Sequence, residues 1–257
     1  MEFVRSHQAD LHTAVIGDVN APAVTMLHGL LTGSMATWYF NAAGNLVDDY
    51  KVVLYDLRGH GKSSRTETGY DIGTMVDDLL AIIDHHQLEK TSLVGHSFGG
   101  LVALHFALQH PERVSQLILV DIPLPASEYV ARHFSHVTDD NKQALFEALP
   151  ADIKEQLNAN KRGVKRALSH LEFLLFNSSL LSDLREAVDV SNDELAAIQC
   201  PVHCIYGEQS DCKAVAERLI STIKDATIEW LPSGHFIPVE APMLLSHSIK
   251  EYLRGTH

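Results

Sequence analysis

Three cysteines in 257 residues, Cys200, Cys204 and Cys212, are too few and too odd in number for a disulfide framework. They form no C-x-x-C pair, so no metal knuckle is expected. Cys200 and Cys204 are spaced to share one face of a strand and read as structural thiols. Long apolar runs are also missing. No stretch approaches the length of about 18 apolar residues that a membrane span needs. The N-terminal segment "MEFVRSHQADLHTAV" has no secretory apolar core, and a reduced, cytoplasmic protein is expected. Basic charge is scarce: Lys and Arg number 20 against 33 Asp and Glu, a formal net charge of −13. Nucleic acid and anionic membrane surfaces are thus disfavoured as partners. Internal repeats and low-complexity tracts are absent. Oligomeric state is not readable from the chain.

What is present is a 46% hydrophobic chain, enough to bury a sizeable core. Short β-like runs alternate with helical ones. Strands are expected at "LHTAVIG", "AVTMLHG", "KVVLYDLRG", "TSLVGHS", "VSQLILVD", "PVHCIYG" and "TIEWLP". Helical spacing marks "YDIGTMVDDLLAIIDHH", "FGGLVALHFALQH", "KAVAERLISTI" and "APMLLSHSIKEYL". This order predicts an α/β fold with a mostly parallel central sheet and helices on both faces. From 123 to 198 the rhythm breaks. That stretch holds helical patterns, "NKQALFEAL" and "VKRALSHLEFLLF", and no clear strand. It is too long for a plain connection and is expected to be a helical cap, with 1–122 and 199–257 forming the core domain.

The stretch "GHSFGG", Gly95 to Gly100, sits between a strand and a helix. G-x-S-x-G in that setting describes a sharp turn that projects a serine into a cleft beside the helix N-terminus. Ser97 is therefore the candidate nucleophile, with Gly95 and Gly99 required for close packing. Its base should follow in chain order, and His235 in "LPSGHFIP" lies after the last strand. His96 adjoins the serine but should point away, in a structural role. For the acid that orients the base, Asp211 in "YGEQSDCKA" is preferred and Asp121 in "LILVDIP" is the alternative, with Ser210 as a further hydrogen-bonding candidate. "HGLLTGSMATW" follows an apolar strand and is expected to bring the Leu30 N–H, with that of Phe98, to a developing oxyanion. His28, Met35, Trp38 and Phe236 are candidate substrate contacts. Phe173 and Phe176 are weaker ones.

These motifs together, with "YDLRGHGKSS", resemble the α/β-hydrolase fold family over nearly the whole chain. "YDLRGHGKSS" is taken as structural, its glycines turning the loop after the strand "KVVLY". Within the family the chain is most similar to small bacterial esterases of the YbfF type and their animal relatives, which share a "DI-P" segment like the one in "LVDIP". Some relatives lack a carboxylate in the loop matching "GEQSD", and some carry a functional aspartate at the position of Asp121. Those relatives hydrolyse short acyl esters and, in some cases, acyl-CoA thioesters, so the resemblance implies carboxylesterase or thioesterase activity.

The expected chemistry is acyl transfer through an acyl-enzyme on Ser97, with no metal and no organic cofactor. A histidine with an ordinary pKa of about 6.5 would give activity that rises as it deprotonates. C–C bond hydrolases, lyases and cofactor-free perhydrolases can use the same residues. A ligand receptor that retains them without turnover is a non-enzymatic alternative.

Overall fold

The computed structural model describes residues 2–141 and 162–255. Eight strands form one sheet: β1 (Glu2–Ser6), β2 (Ala9–Ile16), β3 (Ala23–Leu27), β4 (Lys51–Tyr55), β5 (Thr91–His96), β6 (Val114–Val120), β7 (Val202–Gly207) and β8 (Ala226–Leu231). Their spatial order is β1-β2-β4-β3-β5-β6-β7-β8. β1 and β2 are antiparallel to each other and β2 is antiparallel to β4; every other neighbouring pair is parallel. This is the α/β-hydrolase arrangement that the sequence led us to expect.

Parallel neighbours need crossovers, and helices supply most of them. α1 (Met35–Asn41) follows β3, α2 (Ile72–His85) follows β4, and α3 (Phe98–Gln109) follows β5. Between β6 and β7 the described residues hold α4 (Ala126–Phe134), α5 (Arg162–Phe176), α6 (Leu180–Glu186) and α7 (Asn192–Ala196), and no strand. Of the two helical patterns read there, "VKRALSHLEFLLF" falls in α5, while "NKQALFEAL" lies outside the described residues beyond Asn141. α8 (Lys213–Thr222), α9 (Ile237–Glu240) and α10 (Pro242–Gly255) complete the chain. None of the described helices is long and apolar enough to cross a membrane.

The central strands are apolar on both faces because both faces are covered. Successive side chains alternate between two cores. Leu93, Leu117, Leu119 and Cys204 join α2, α3 and α8 on one side; Val94, Ile118, Val120 and Ile205 join α1 and α10 on the other. Cys200 and Cys204 do share a core, and all three cysteines are buried free thiols.

β1 and α1 are among the elements that escaped the sequence reading. β1 is an edge strand whose residues are mostly exposed, so it lacks a strong apolar signal. α1 has only seven residues and sits inside the loop motif after β3.

The segment after β4 is tied to its surroundings by charge. Arg58 donates through Nε and Nη2 to the two carboxylate oxygens of Asp78 in α2, at 2.7 and 2.6 Å, and both residues are buried. Asp56 accepts N–H groups from Met35 and Lys62 and the Nδ1–H of His12, at 2.8 to 2.9 Å. It therefore pins the start of α1 to β2. Removing one partner of a buried pair strands the other charge. Asp78→Ala should lower stability by about 3–5 kcal/mol, whereas replacing both partners with apolar residues should cost much less. Urea unfolding midpoints of Asp78→Ala and of Arg58→Met/Asp78→Leu measure this; equal losses would contradict it.

Candidate active site

The turn from β5 into α3 is strained and crowded. Ser97 caps α3 with φ 53° and ψ −123°, a conformation that L-residues rarely adopt. Its neighbours have no room for side chains. A Cβ at Gly95 would lie 2.4 Å from the Gly100 Cα, and one at Gly99 would lie 2.4 Å from the His28 carbonyl oxygen. The turn thus presents Ser97 beside the open N–H groups of the helix N-terminus.

The Ser97 hydroxyl donates to His235 Nε2 at 2.9 Å, and His235 Nδ1–H donates to Asp121 Oδ1 at 2.8 Å. The roles follow from the carboxylate, which only accepts and so fixes the proton on Nδ1. Asp121 is fully buried and further satisfied: Ser210 Oγ–H donates to Oδ1 at 2.6 Å and the Gly207 N–H to Oδ2 at 2.8 Å. Asp211, the preferred acid of the sequence reading, is not on His235. Its side chain is 63% exposed and lies 3.7 Å from His133 Nε2. The physical reason is position on the sheet. Asp121 directly follows β6, the strand beside β5, while Asp211 lies past the turn after β7 and faces out. Asp121 reaches the site with φ 47°, a backbone setting no sequence pattern announces.

The loop after β3 is built on neutral histidines. His28 Nδ1–H donates to the Gly29 carbonyl at 2.7 Å and its Nε2 accepts the Leu57 N–H at 3.0 Å. His60 Nδ1–H donates to the Arg58 carbonyl at 2.8 Å and its Nε2 accepts the Leu31 N–H at 2.9 Å. Burial pushes both imidazoles below their ordinary pKa. Leu30 is held between these anchors, and its N–H makes no hydrogen bond among the described residues. Phe98 is the first residue of α3, so its N–H is free of the helix ladder. His96 is buried, as expected, but it also works: its Nε2–H donates to the His235 carbonyl at 2.9 Å and steadies that loop.

A cavity of about 90 Å³ opens on Ser97 and His235 and is walled by Leu30, Phe98, Tyr129, Leu181 and Phe236, among others. Of the expected substrate contacts, Phe236 is in place and half exposed. His28 and Trp38 are not available: both are fully buried, His28 with both ring nitrogens committed and Trp38 packed in the core with α10. Met35 lines a separate, larger cavity, and Phe173 and Phe176 pack against the main core. Tyr129, Leu181 and Leu184 were missed because they come from the 123–198 helices, where helical spacing does not say which face meets the cleft.

Two groups of side chains bring three potential metal-ligand atoms together among the described residues: Glu2, His85 and His86 at the surface, and Asp121, Cys212 and His235 at the site. In the second, Asp121 and His235 are already bonded to each other. The Cys212 thiol is pushed up to about 12, by burial first and then by the Asp121 charge, and so stays protonated.

Comparison with known proteins agrees with the fold. A family profile described as the alpha/beta hydrolase fold matches residues 22–240. A protein of Variovorax paradoxus (strain S110) named as a carbamate hydrolase, RutD, is 30% identical over 258 residues, covering 95% of this chain and 96% of its own. The 3-oxoadipate enol-lactonase 2 of Acinetobacter baylyi is 25% identical, over 95% of this chain and 93% of its own. Among solved structures, a thermophilic esterase from Thermogutta terrifontis superposes with a TM-score of 0.75 at 23% identity, covering 98% and 97% of the two chains.

The buried histidines make stability depend on pH. His96 is held down to about 4, chiefly by burial and then by the nearby His235, and burial lowers His28 and His60 as well. In the unfolded chain each titrates near its ordinary pKa of about 6.5. Below that value the unfolded state binds protons that the native state refuses. Stability is therefore full above about pH 7 and declines as pH falls through 6.5 toward 4, each histidine contributing a slope of up to about 1.4 kcal/mol per pH unit. Thermal midpoints from pH 7.5 to 5, above the carboxylate range, should fall steadily; a flat profile would contradict the assignment.

Proposed function

Because the chain belongs to the alpha/beta hydrolase fold family, we propose that it is a serine hydrolase that cleaves carboxylic esters through an acyl-enzyme on Ser97. The observation that carries this reading is the hydrogen-bonded chain Ser97–His235–Asp121, with separations of 2.9 and 2.8 Å. In the first half-reaction the Ser97 oxygen attacks the ester carbonyl while His235 Nε2 takes its proton. Asp121 keeps the imidazole in the reactive tautomer and stabilises the imidazolium that forms. The Leu30 and Phe98 N–H groups receive the oxyanion, each worth about 3–4 kcal/mol in the transition state. His235 then protonates the departing alcohol or thiol. In the second half, water adds to the acyl-enzyme with His235 as base, and the carboxylic acid leaves as the Ser97 hydroxyl is restored.

The small apolar cavity at Ser97 suits a short acyl chain, which is in keeping with the resemblance to the YbfF-type esterases and leaves thioesters within reach. A reducing, cytoplasmic setting suits three buried free thiols. Asp121, rather than Asp211, is taken as the acid.

Hydrolysis of p-nitrophenyl esters from acetate to decanoate tests the reading. Turnover should favour short chains and vanish in Ser97→Ala. Asp121→Asn should reduce kcat by about 10⁴-fold through loss of the correct tautomer, while Asp211→Asn should leave the rate within about twofold, as an exposed substitution does. Turnover that survives Ser97→Ala would sink the mechanism. A collapse confined to Asp211→Asn would overturn the choice of acid. Absence of ester turnover with activity on a lactone, a carbamate or a vinylogous diketone would keep the nucleophile and move the substrate class.

A further inference from the structure

Two cavities touch the loop after β3. The smaller holds Ser97. The larger, about 520 Å³, is lined by Leu31, Thr32, Gly33 and Ser34 of that loop, so that Leu31 lines both. Its wall is unusual for this molecule. Acidic residues outnumber basic ones by 33 to 20 in the chain, yet Lys62, Arg65 and Arg166 converge on this one space. Five other arginines, Arg5, Arg58, Arg113, Arg218 and Arg254, each contact an aspartate oxygen within 3.0 Å. Lys62, Arg65 and Arg166 have no carboxylate partner among the described residues. Arg65 is held in place by the Phe173 ring, whose centroid is 5.7 Å from its guanidinium carbon.

Nothing else in the wall answers this charge. The cavity's acidic lining residue, Asp56, has its two oxygens turned to the Met35 and Lys62 N–H groups and to His12. His170 adds a polar atom that lacks a mate: its Nε2 is buried with no hydrogen-bond partner among the described residues. Burial, and then Arg65 among the neighbouring groups, holds this imidazole down to about 4, so it is neutral at physiological pH. Like charges gathered around one cavity repel, and an anion placed among them turns that cost into attraction. Two guanidinium groups suit carboxylate or phosphate oxygens best, since each offers paired N–H donors.

We propose that the ester's leaving group carries an anion, a carboxylate or a phosphate, that sits in this cavity against Lys62, Arg65 and Arg166, with His170 Nε2 as a further polar contact. The inference rests on the reading of Ser97 as an ester nucleophile. The acyl part fills the small apolar cavity, the carbonyl sits at the loop between, and the charged alcohol portion extends past Leu31. The basic cavity then acts as a specificity site: it selects among alcohols and has no part in bond-making.

The test compares 4-carboxyphenyl butyrate with its neutral methyl ester, 4-(methoxycarbonyl)phenyl butyrate. The wild type should prefer the anionic ester by about tenfold or more in kcat/KM, a factor equal to about 1.4 kcal/mol, with the difference in KM. Arg65→Gln and Arg166→Gln should each erase most of that preference by raising KM for the anionic ester, and added salt should weaken it. Equal turnover of the two esters by the wild type would overturn the proposal. So would variants that slow both esters alike, which would mark the arginines as structural. Inorganic phosphate, titrated calorimetrically, supplies an arm independent of turnover. Phosphate binding that is lost in Arg166→Gln, with no advantage for the anionic ester, would show a site for a free anion and overturn its assignment to the substrate. If neither ester reacts, the ester reading of Ser97 fails, and phosphate binding alone decides whether the cavity takes anions.

Discussion

Backbone meets backbone where β5 turns into α3, and that close approach is the constraint on which the site depends. With no side chain at Gly95 or Gly99, the helix N-terminus can press against the end of β3. The contact does three things together. It forces Ser97 into its left-handed setting, it aims the first N–H groups of α3 at the cleft, and it brings the Leu30 loop alongside them. A methyl group in the turn would push these apart, and donors that are an ångström out of place lose most of their value for a developing oxyanion.

The histidines divide the labour that follows. His28, His60 and His96 serve as neutral connectors, each joining two segments of backbone or holding one loop still. Their burial keeps them uncharged. That matters for His235, which in the proposed mechanism takes up a proton and would be opposed by neighbouring imidazolium charges. Neutral connectors give rigidity without an electrostatic penalty at the base. They also explain the abundance of histidine near the site in a chain that uses only one of them for proton transfer in the proposed mechanism.

Much of this was legible in the sequence, because glycines around a serine between an apolar strand and an apolar helix have few physical explanations. The alternation of strand and helix gave the sheet order class for the same reason: burial on both faces leaves unbroken apolar runs. Which carboxylate meets His235 was not legible. Asp121 and Asp211 both follow parallel strands, and only the three-dimensional order of β5, β6 and β7 separates them. Trp38 sits three residues from Met35 in an obvious motif, yet it turns into the core beneath the sheet while Met35 reaches a cavity. The basic cavity had no local signature at all, since Arg65 and Arg166 are about a hundred residues apart and meet only when α5 folds over the loop after β4.

The backbone ladder runs straight through the site. The Ser97 N–H donates to the Val120 carbonyl at 2.9 Å, and the Asp121 N–H donates to the Ile205 carbonyl at 2.9 Å. Ser97 and Asp121, nucleophile and acid of the proposed mechanism, are thus spaced by the pitch of the sheet itself. The helices between β6 and β7 supply Tyr129, Leu181 and Leu184 to the cavity wall, but they do not carry that spacing. In the proposed reading, substitutions among Tyr129, Leu181 and Leu184 can reshape the cavity wall while the spacing of Ser97 and Asp121 stays with the strands beneath them.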